Sequence, residues 1–320
     1  MIYLIQNNLD SRFIALSGIL FTYIVTYLLL KFGTGLLPKD GGRDFAHDGK
    51  LSAGKPRGAG FLFIIVFSCS SLLFLPITKE SIIYLILVLA AMITGFLDDC
   101  SKNPWSELRK GILDFIIALT LSITYVNFNS SVLNIPFVDI AITLSPVFYV
   151  ILGTILVWVS INVTNCSDGV DGLSGTLSVI TLLTIYAIGN ILGGDKNDAT
   201  MILIMVSCIM SYLWFNATPS SMMMGDAGSR ALGLFISIAI LKTGSPLLYI
   251  PAALMLILDG GLGLLKVSLL RFLKIRILKN TRTPIHDHVR KNLTWSNTQV
   301  VFKFSIIQLL ISFTLVWLLT

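Results

Sequence analysis

This sequence predicts an all-α integral membrane protein of about ten transmembrane helices, with its functional loops on the cytoplasmic face, on three observations. Mean hydropathy is +0.84. Charged residues make up only 12% of the 320 positions, about half the share of a soluble domain. Ten apolar stretches approach the roughly 20 residues that a helix needs to cross a bilayer core. They lie at 13–32, 60–78, 81–97, 112–128, 141–163, 173–193, 200–217, 230–243, 246–273 and 300–319, within one polytopic domain over 1–320.

The first stretch follows only Arg12 and is not followed by a small-residue cleavage site, so it reads as a retained span and not as a cleaved signal peptide. The third ends on the paired carboxylates Asp98 and Asp99. Between the fourth and fifth, the run NSSVLNIPFVDI (129–140) is β-branched and aromatic and suits a hairpin. The fifth runs directly into NVTNCSDGVDG (162–172), where two asparagines, two carboxylates, two hydroxyls and two glycines crowd eleven positions. Polar residues massed beside a span point to a functional site; a solvated Asp-Gly turn is the plainer alternative. The eighth is short. The ninth is 28 residues long and carries Gly260, Gly261 and Gly263, where missing side chains permit a bend that would open a groove toward lipid.

With ten spans, seventeen Lys and Arg fall on one face and four on the other. The positive-inside rule places the basic face in the cytoplasm and both termini outside, as in a multi-pass protein of a bacterial inner membrane. The net charge of +6 therefore reports topology and not nucleic-acid binding. Cys69, Cys100, Cys166 and Cys208 have neither zinc-ligand nor disulfide spacing. A homodimer stays open.

Four polar clusters fall on the basic face: Asp98-Asp99 with Lys102, Arg109 and Lys110; the 162–172 stretch; MMMGDAGS (222–229), preceded by Asn216 and followed by Arg230; and PIHDH (284–288). Adjacent carboxylates repel unless a cation holds them. Mg²⁺ takes one or two protein carboxylates and completes its shell with phosphate oxygens and water, so dispersed aspartates among Lys and Arg suit a magnesium-diphosphate substrate. Gly225 and Gly228 beside Asp226 would let backbone approach a phosphate. His286 and His288 alone would also suit an exposed loop.

NVTNCSDGVDGLSG, MMMGDAGSRALG, GFLDDCSK and PIHDH in a ten-span frame resemble the polyprenyl-phosphate N-acetylhexosamine-1-phosphate transferases, from about Lys55 to Val301. Ser167 before Asp168, the Pro284-Ile285-His286 register and WSNTQVV (295–301) are similar to the muramoyl-pentapeptide branch. The resemblance implies an enzyme that passes a phospho-sugar from UDP-N-acetylmuramoyl-pentapeptide to undecaprenyl phosphate. It implies Asp226 as the Mg²⁺ ligand and Asp98 and Asp99 as the pair that positions lipid phosphate and metal. It also implies Asn162, Asn165, Asp168 and Asp171 as the wall of the nucleotide-sugar pocket, with Gly169 and Val170 near the uracil. His286 and His288 would then sit near the diphosphate or sugar, and Lys110 would face phosphate. Lys55, Asn216 and Met223 complete the expected substrate contacts.

Four positions depart from the family pattern. A triple histidine reads His286, Asp287, His288; a glutamine reads Asp114; a phenylalanine reads Met223; and the threonine of Gly-Thr-Pro reads Lys55. An N-acetylglucosamine donor is the alternative within the superfamily. A secondary transporter is the rival from another class, but its site would lie near the bilayer midplane, where Asp259, with Asp114, is the exception among the acidic residues here.

Overall fold

The computed structural model describes residues 11–42, 52–101 and 103–320. Arg43, Lys50 and Lys102, counted in the charge asymmetry, lie outside the described residues.

The apolar stretches form helices, and several of their starts have a local chemical cause. Helix α1 is Ser11–Phe32 and α2 is Ala59–Phe74. Helix α3, Lys79–Asp99, opens with a capping box between Thr78 and Ser81. Helix α4, Glu107–Phe128, is capped by the Ser106 side chain, which accepts the Arg109 N–H. Strands β1 (Val132–Ile135) and β2 (Ile140–Thr143) pair antiparallel with Leu133 opposite Ile142. The expected hairpin is thus present but extends three residues into the stretch assigned to the fifth span. Helix α5, Pro146–Cys166, begins instead at Pro146 behind a Ser145 cap, and proline suits a first helical turn.

Helices α6 (Leu173–Ile191), α7 (Lys196–Asn216) and α8 (Gly225–Lys242) follow. Every residue of α8 from Gly225 to Leu241 is buried. It is the axis of the bundle, packed by α2, α3, α5 and α6. Glycines set how close the partners come. A Cβ at Gly60 would lie 2.0 Å from the Gly228 nitrogen, and one at Gly95 would lie 2.3 Å from the Asp226 carbonyl. Gly228 thus serves helix packing. At the far end of the bundle, Lys242 donates to Glu80 at 3.1 Å and to Asn129 at 3.2 Å, joining α8, α3 and α4.

The ninth stretch is bent by 72° between α9 (Pro246–Ala252) and α10 (Leu254–Leu273). The bend lies after Pro251, not at the glycines. The break frees backbone groups from helical bonding, and in a membrane these need partners. Gln308 of α12 (Asn297–Leu319) supplies them: its amide donates to the Pro251 and Ala252 carbonyls at 3.1 and 3.0 Å, and its oxygen accepts the Met255 N–H at 2.9 Å. Gly260 and Gly261 lie in a π-helical turn, Ile257–Gly261, where a Cβ at Gly260 would meet the Val163 carbonyl at 2.3 Å. Helix α11, Ile285–Asn292, carries the histidines that were expected on a loop.

Among the described residues, seven helices are long and apolar enough to cross a membrane, and the bent pair makes an eighth if it is one span. Helix α2, at 16 residues, and the charged α8 are the shorter members of the ten expected. The protein is a multi-pass, all-α membrane protein.

Candidate active site

The close approach of α3 to α8 delivers Asp99 beneath the start of α8. Its carboxylate accepts the Asp226 N–H at 3.1 Å and the Ala227 N–H at 3.0 Å, where the helix dipole favours negative charge. Arg57 Nε donates to the same carboxylate at 2.9 Å, and its terminal nitrogens lie 3.5 Å from Asp226 and from Asp40. Burial opposes the Arg57 charge, but Asp99, Asp226 and Asp40 outweigh it and hold its pKa above the ordinary arginine value. Ser52 donates to Asp40 at 2.6 Å, fastening the 52–57 segment over the site. That segment also pairs by backbone with the loop before α8, through Met223 N–H to the Pro56 carbonyl and Ala59 N–H to the Met223 carbonyl.

Lys110, one turn into α4, bridges two carboxylates. Its ammonium donates to Asp226 at 2.9 Å and forms an ion pair with Asp98, whose other oxygen accepts the Trp105 N–H at 2.7 Å. One turn deeper on both helices, Arg230 donates to Asp114 at 3.0 Å through Nε, both side chains being buried. The charges are reversed between the two rungs.

Asn162 and Asn165 occupy the last turns of α5 and not a loop. Asn165 accepts from Ser229 at 3.2 Å, whereas Asn162 donates to the Trp158 carbonyl of its own helix. In the following turn, Asp171 accepts the Ser220 N–H at 3.1 Å, and Lys55 reaches Ser220 at 3.1 Å and Asp171 at 4.0 Å. Asn216 spans the Gly172 N–H and the Met222 carbonyl, both at 2.8 Å, so it ties two loops together. His286 is fixed by Asp259, which accepts both its backbone N–H at 2.8 Å and its Nδ1–H at 2.9 Å.

These segments enclose an open cavity of about 640 Å³. Lys55, Asn165, Asp168, Gly169, Val170, Asp171, Asn216, Met223, Asp226 and His286 line it, which brings ten of the fifteen expected site residues together from five parts of the chain. Asp98, Asp99, Lys110 and Asn162 do not line the cavity. His288 also lies outside it and accepts the Arg282 N–H at 3.3 Å. Asp40, Arg57, Ser220 and Arg290 line the cavity as well and were not foreseen as site residues. Arg57 follows the Gly-Lys-Pro run directly, so its position carried a signal that charge counting alone does not use.

Among the described residues no three His, Cys, Asp or Glu side chains converge as a metal cage. Asp226 and Asp98 instead converge on the Lys110 ammonium, a cationic group between two carboxylates. Asp226, the one of the two that lines the polar cavity, fits Mg²⁺, which takes one or two protein carboxylates and completes its shell with phosphate and water.

The profile of glycosyl transferase family 4 matches residues 81–244. A phospho-N-acetylmuramoyl-pentapeptide-transferase of Treponema pallidum is 39% identical over 95% of this chain and 87% of its own length. Proteins of the same name from Dictyoglomus turgidum and Clostridium botulinum are 32% and 29% identical, over 94% and 84% of this chain and 99% and 85% of theirs. The Treponema and Dictyoglomus matches cover nearly the whole chain, and on them it belongs to the phospho-N-acetylmuramoyl-pentapeptide transferase family.

Proposed function

We propose that the protein transfers phospho-N-acetylmuramoyl-pentapeptide from its UDP derivative to undecaprenyl phosphate, giving lipid I and UMP. The observation that carries this reading is the cavity: Lys55, Arg57 and Arg290 line it together with Asp168, Asp171 and Asp226, around a space large enough for a nucleotide-sugar. Cations that neutralise a diphosphate and polar groups that orient a nucleotide are what such a transfer needs, because its catalysis is mostly positioning and charge control.

The lipid phosphate has a second pKa near 6 and is a competent nucleophile without a strong base. Direct attack on the sugar-linked phosphorus, with UMP leaving, is the route we favour over an aspartyl-phosphate. Asp99 supports that choice. Both its oxygens are engaged by Arg57 and by the α8 backbone, and its side chain is fully buried, so it is committed to holding the start of α8. Asp98 is committed to Lys110 and the Trp105 N–H. Asp226, with Asp98 beside it, would hold Mg²⁺, which when bound would supply charge neutralisation at the diphosphate. Lys110 then serves phosphate or carboxylate, and the 52–57 segment closes one side of the site.

The positive-inside count favours a cytoplasmic mouth for the cavity and both termini outside, in a bacterial inner membrane. Purified protein supplied with the muramoyl donor, undecaprenyl phosphate and Mg²⁺ tests the reading. UMP release that requires the lipid phosphate supports it. Equal release without lipid, or substrate flux into vesicles with no UMP, contradicts it.

A further inference from the structure

We propose that Asp259 is a positioning residue for this transfer, holding the His286 ring so that Nε2 is the atom presented to the ligand. The inference rests on reading the cavity as the transfer site. Asp259 lies within the bent span and is fully buried, yet it does not line the cavity. An unpaired carboxylate there would cost several kcal/mol, so its retention calls for a partner. Among the described residues that partner is His286: Oδ1 accepts the backbone N–H at 2.8 Å, and Oδ2 accepts Nδ1–H at 2.9 Å.

Local geometry explains how a residue of a membrane span reaches a histidine 27 positions away. The π-helical turn Ile257–Gly261 places one extra residue in the turn, as such turns do at functional sites. Gly260 lets that turn press on the end of α5, where a Cβ would meet the Val163 carbonyl at 2.3 Å. Asp259 thereby comes to lie under the Cys166–Val170 turn, against the first turn of α11.

With Nδ1 committed to Asp259, only Nε2 can address the cavity. A Cβ built on Gly169 would come within 2.3 Å of Nε2, so this atom packs against the bare Gly169 backbone. A carboxylate that fixes the far nitrogen of a histidine sets its tautomer and orientation, and loss of such a partner typically costs about 10- to 100-fold in activity. A purely structural role would leave Asp259 as the cap of α11 and nothing more.

Asp259→Asn separates the two roles, because an amide oxygen still accepts the backbone N–H while the amide NH₂ cannot accept Nδ1–H. We expect the variant to keep the parent's thermal midpoint within a few degrees, to lose about 10- to 100-fold in kcat, and to change donor KM little. Added to His286→Gln, it should cost nothing further. Gly169→Ala, which displaces Nε2 and leaves Asp259 untouched, should also lower kcat and serves if Asp259→Asn does not accumulate. Parent-like kcat in either variant, or a loss fully additive with His286→Gln, overturns the proposal. A parent protein that releases no UMP would instead sink the functional reading itself.

Discussion

The Lys110 ammonium lies 2.9 Å from the Asp226 carboxylate while also pairing with Asp98. One cation therefore holds two acidic groups from α3 and α8 together beside the cavity. Asp226→Asn should remove most turnover, at least about 100-fold, on the scale of losing a single preorganised electrostatic group. Folding should survive, because Asp98 still pairs with Lys110. UMP release measured at limiting Mg²⁺ checks this, and near-parent turnover there would remove Asp226 from the metal assignment. Withdrawal of Mg²⁺ with a chelator should abolish turnover of the parent.

Arg57 gathers three carboxylates, and its side chain is mostly buried. Removing one partner of a buried pair costs about 3 to 5 kcal/mol, because the other charge is left uncompensated. Arg57→Ala should lower stability by that order and loosen the 52–57 segment. Arg57→Lys should recover part of the stability but little turnover, since an ammonium cannot reproduce the guanidinium fork. Thermal unfolding in detergent beside UMP release separates the two effects.

Asp114 and Arg230 form a buried pair one turn below the Lys110–Asp226 rung. Asp114→Ala should destabilise by about 3 to 5 kcal/mol. The double replacement Asp114→Gln with Arg230→Leu should restore most of that loss, because two uncharged partners leave no orphaned charge. A double variant no more stable than the single one would show that the pair contributes through shape and not charge.

The bend after Pro251 depends on Gln308, which satisfies three backbone groups. Gln308→Leu should lower stability by about 1 to 3 kcal/mol for each group left unpaired, partly offset where helices readjust. The bend turns α10 outward, leaving Leu265 about half exposed and Phe272 78% exposed. A photo-crosslinker at Phe272 should capture a polyprenyl probe. Capture at α1 but never at α10 would place the lipid groove elsewhere.

Hydropathy made the helices legible because a bilayer demands about 20 apolar residues, whatever their packing. It also made the broken ninth stretch legible by length, although the break falls just after Pro251 and not at the glycines. Gly260 is recruited to close packing against α5, a tertiary fact that composition does not carry. Within the site, polar residues at the span ends stood out against their apolar setting, as Asp168, Asp171 and Asp226 do. What stayed hidden was who holds whom. Arg57 was one basic residue among many until Asp99, Asp226 and Asp40 were seen around it. Asp259 was an isolated carboxylate in a span until the π-helical turn carried it to His286. Such roles depend on pairs separated by 17 to 169 positions, and no local pattern reports them.

The donor is the most direct test of the account. The Ser167 hydroxyl and the Pro284-Ile285-His286 register are similar to the muramoyl branch, and Asp287, which replaces an imidazole, is offset by Arg290 at 3.8 Å and Lys291 at 3.6 Å. Purified protein should be given undecaprenyl phosphate, Mg²⁺ and either UDP-N-acetylmuramoyl-pentapeptide or UDP-N-acetylglucosamine, with UMP and lipid product measured together. The account predicts efficient formation of the muramoyl lipid and little or no product from the glucosamine donor. Efficient turnover of UDP-N-acetylglucosamine with none of the muramoyl donor would contradict it.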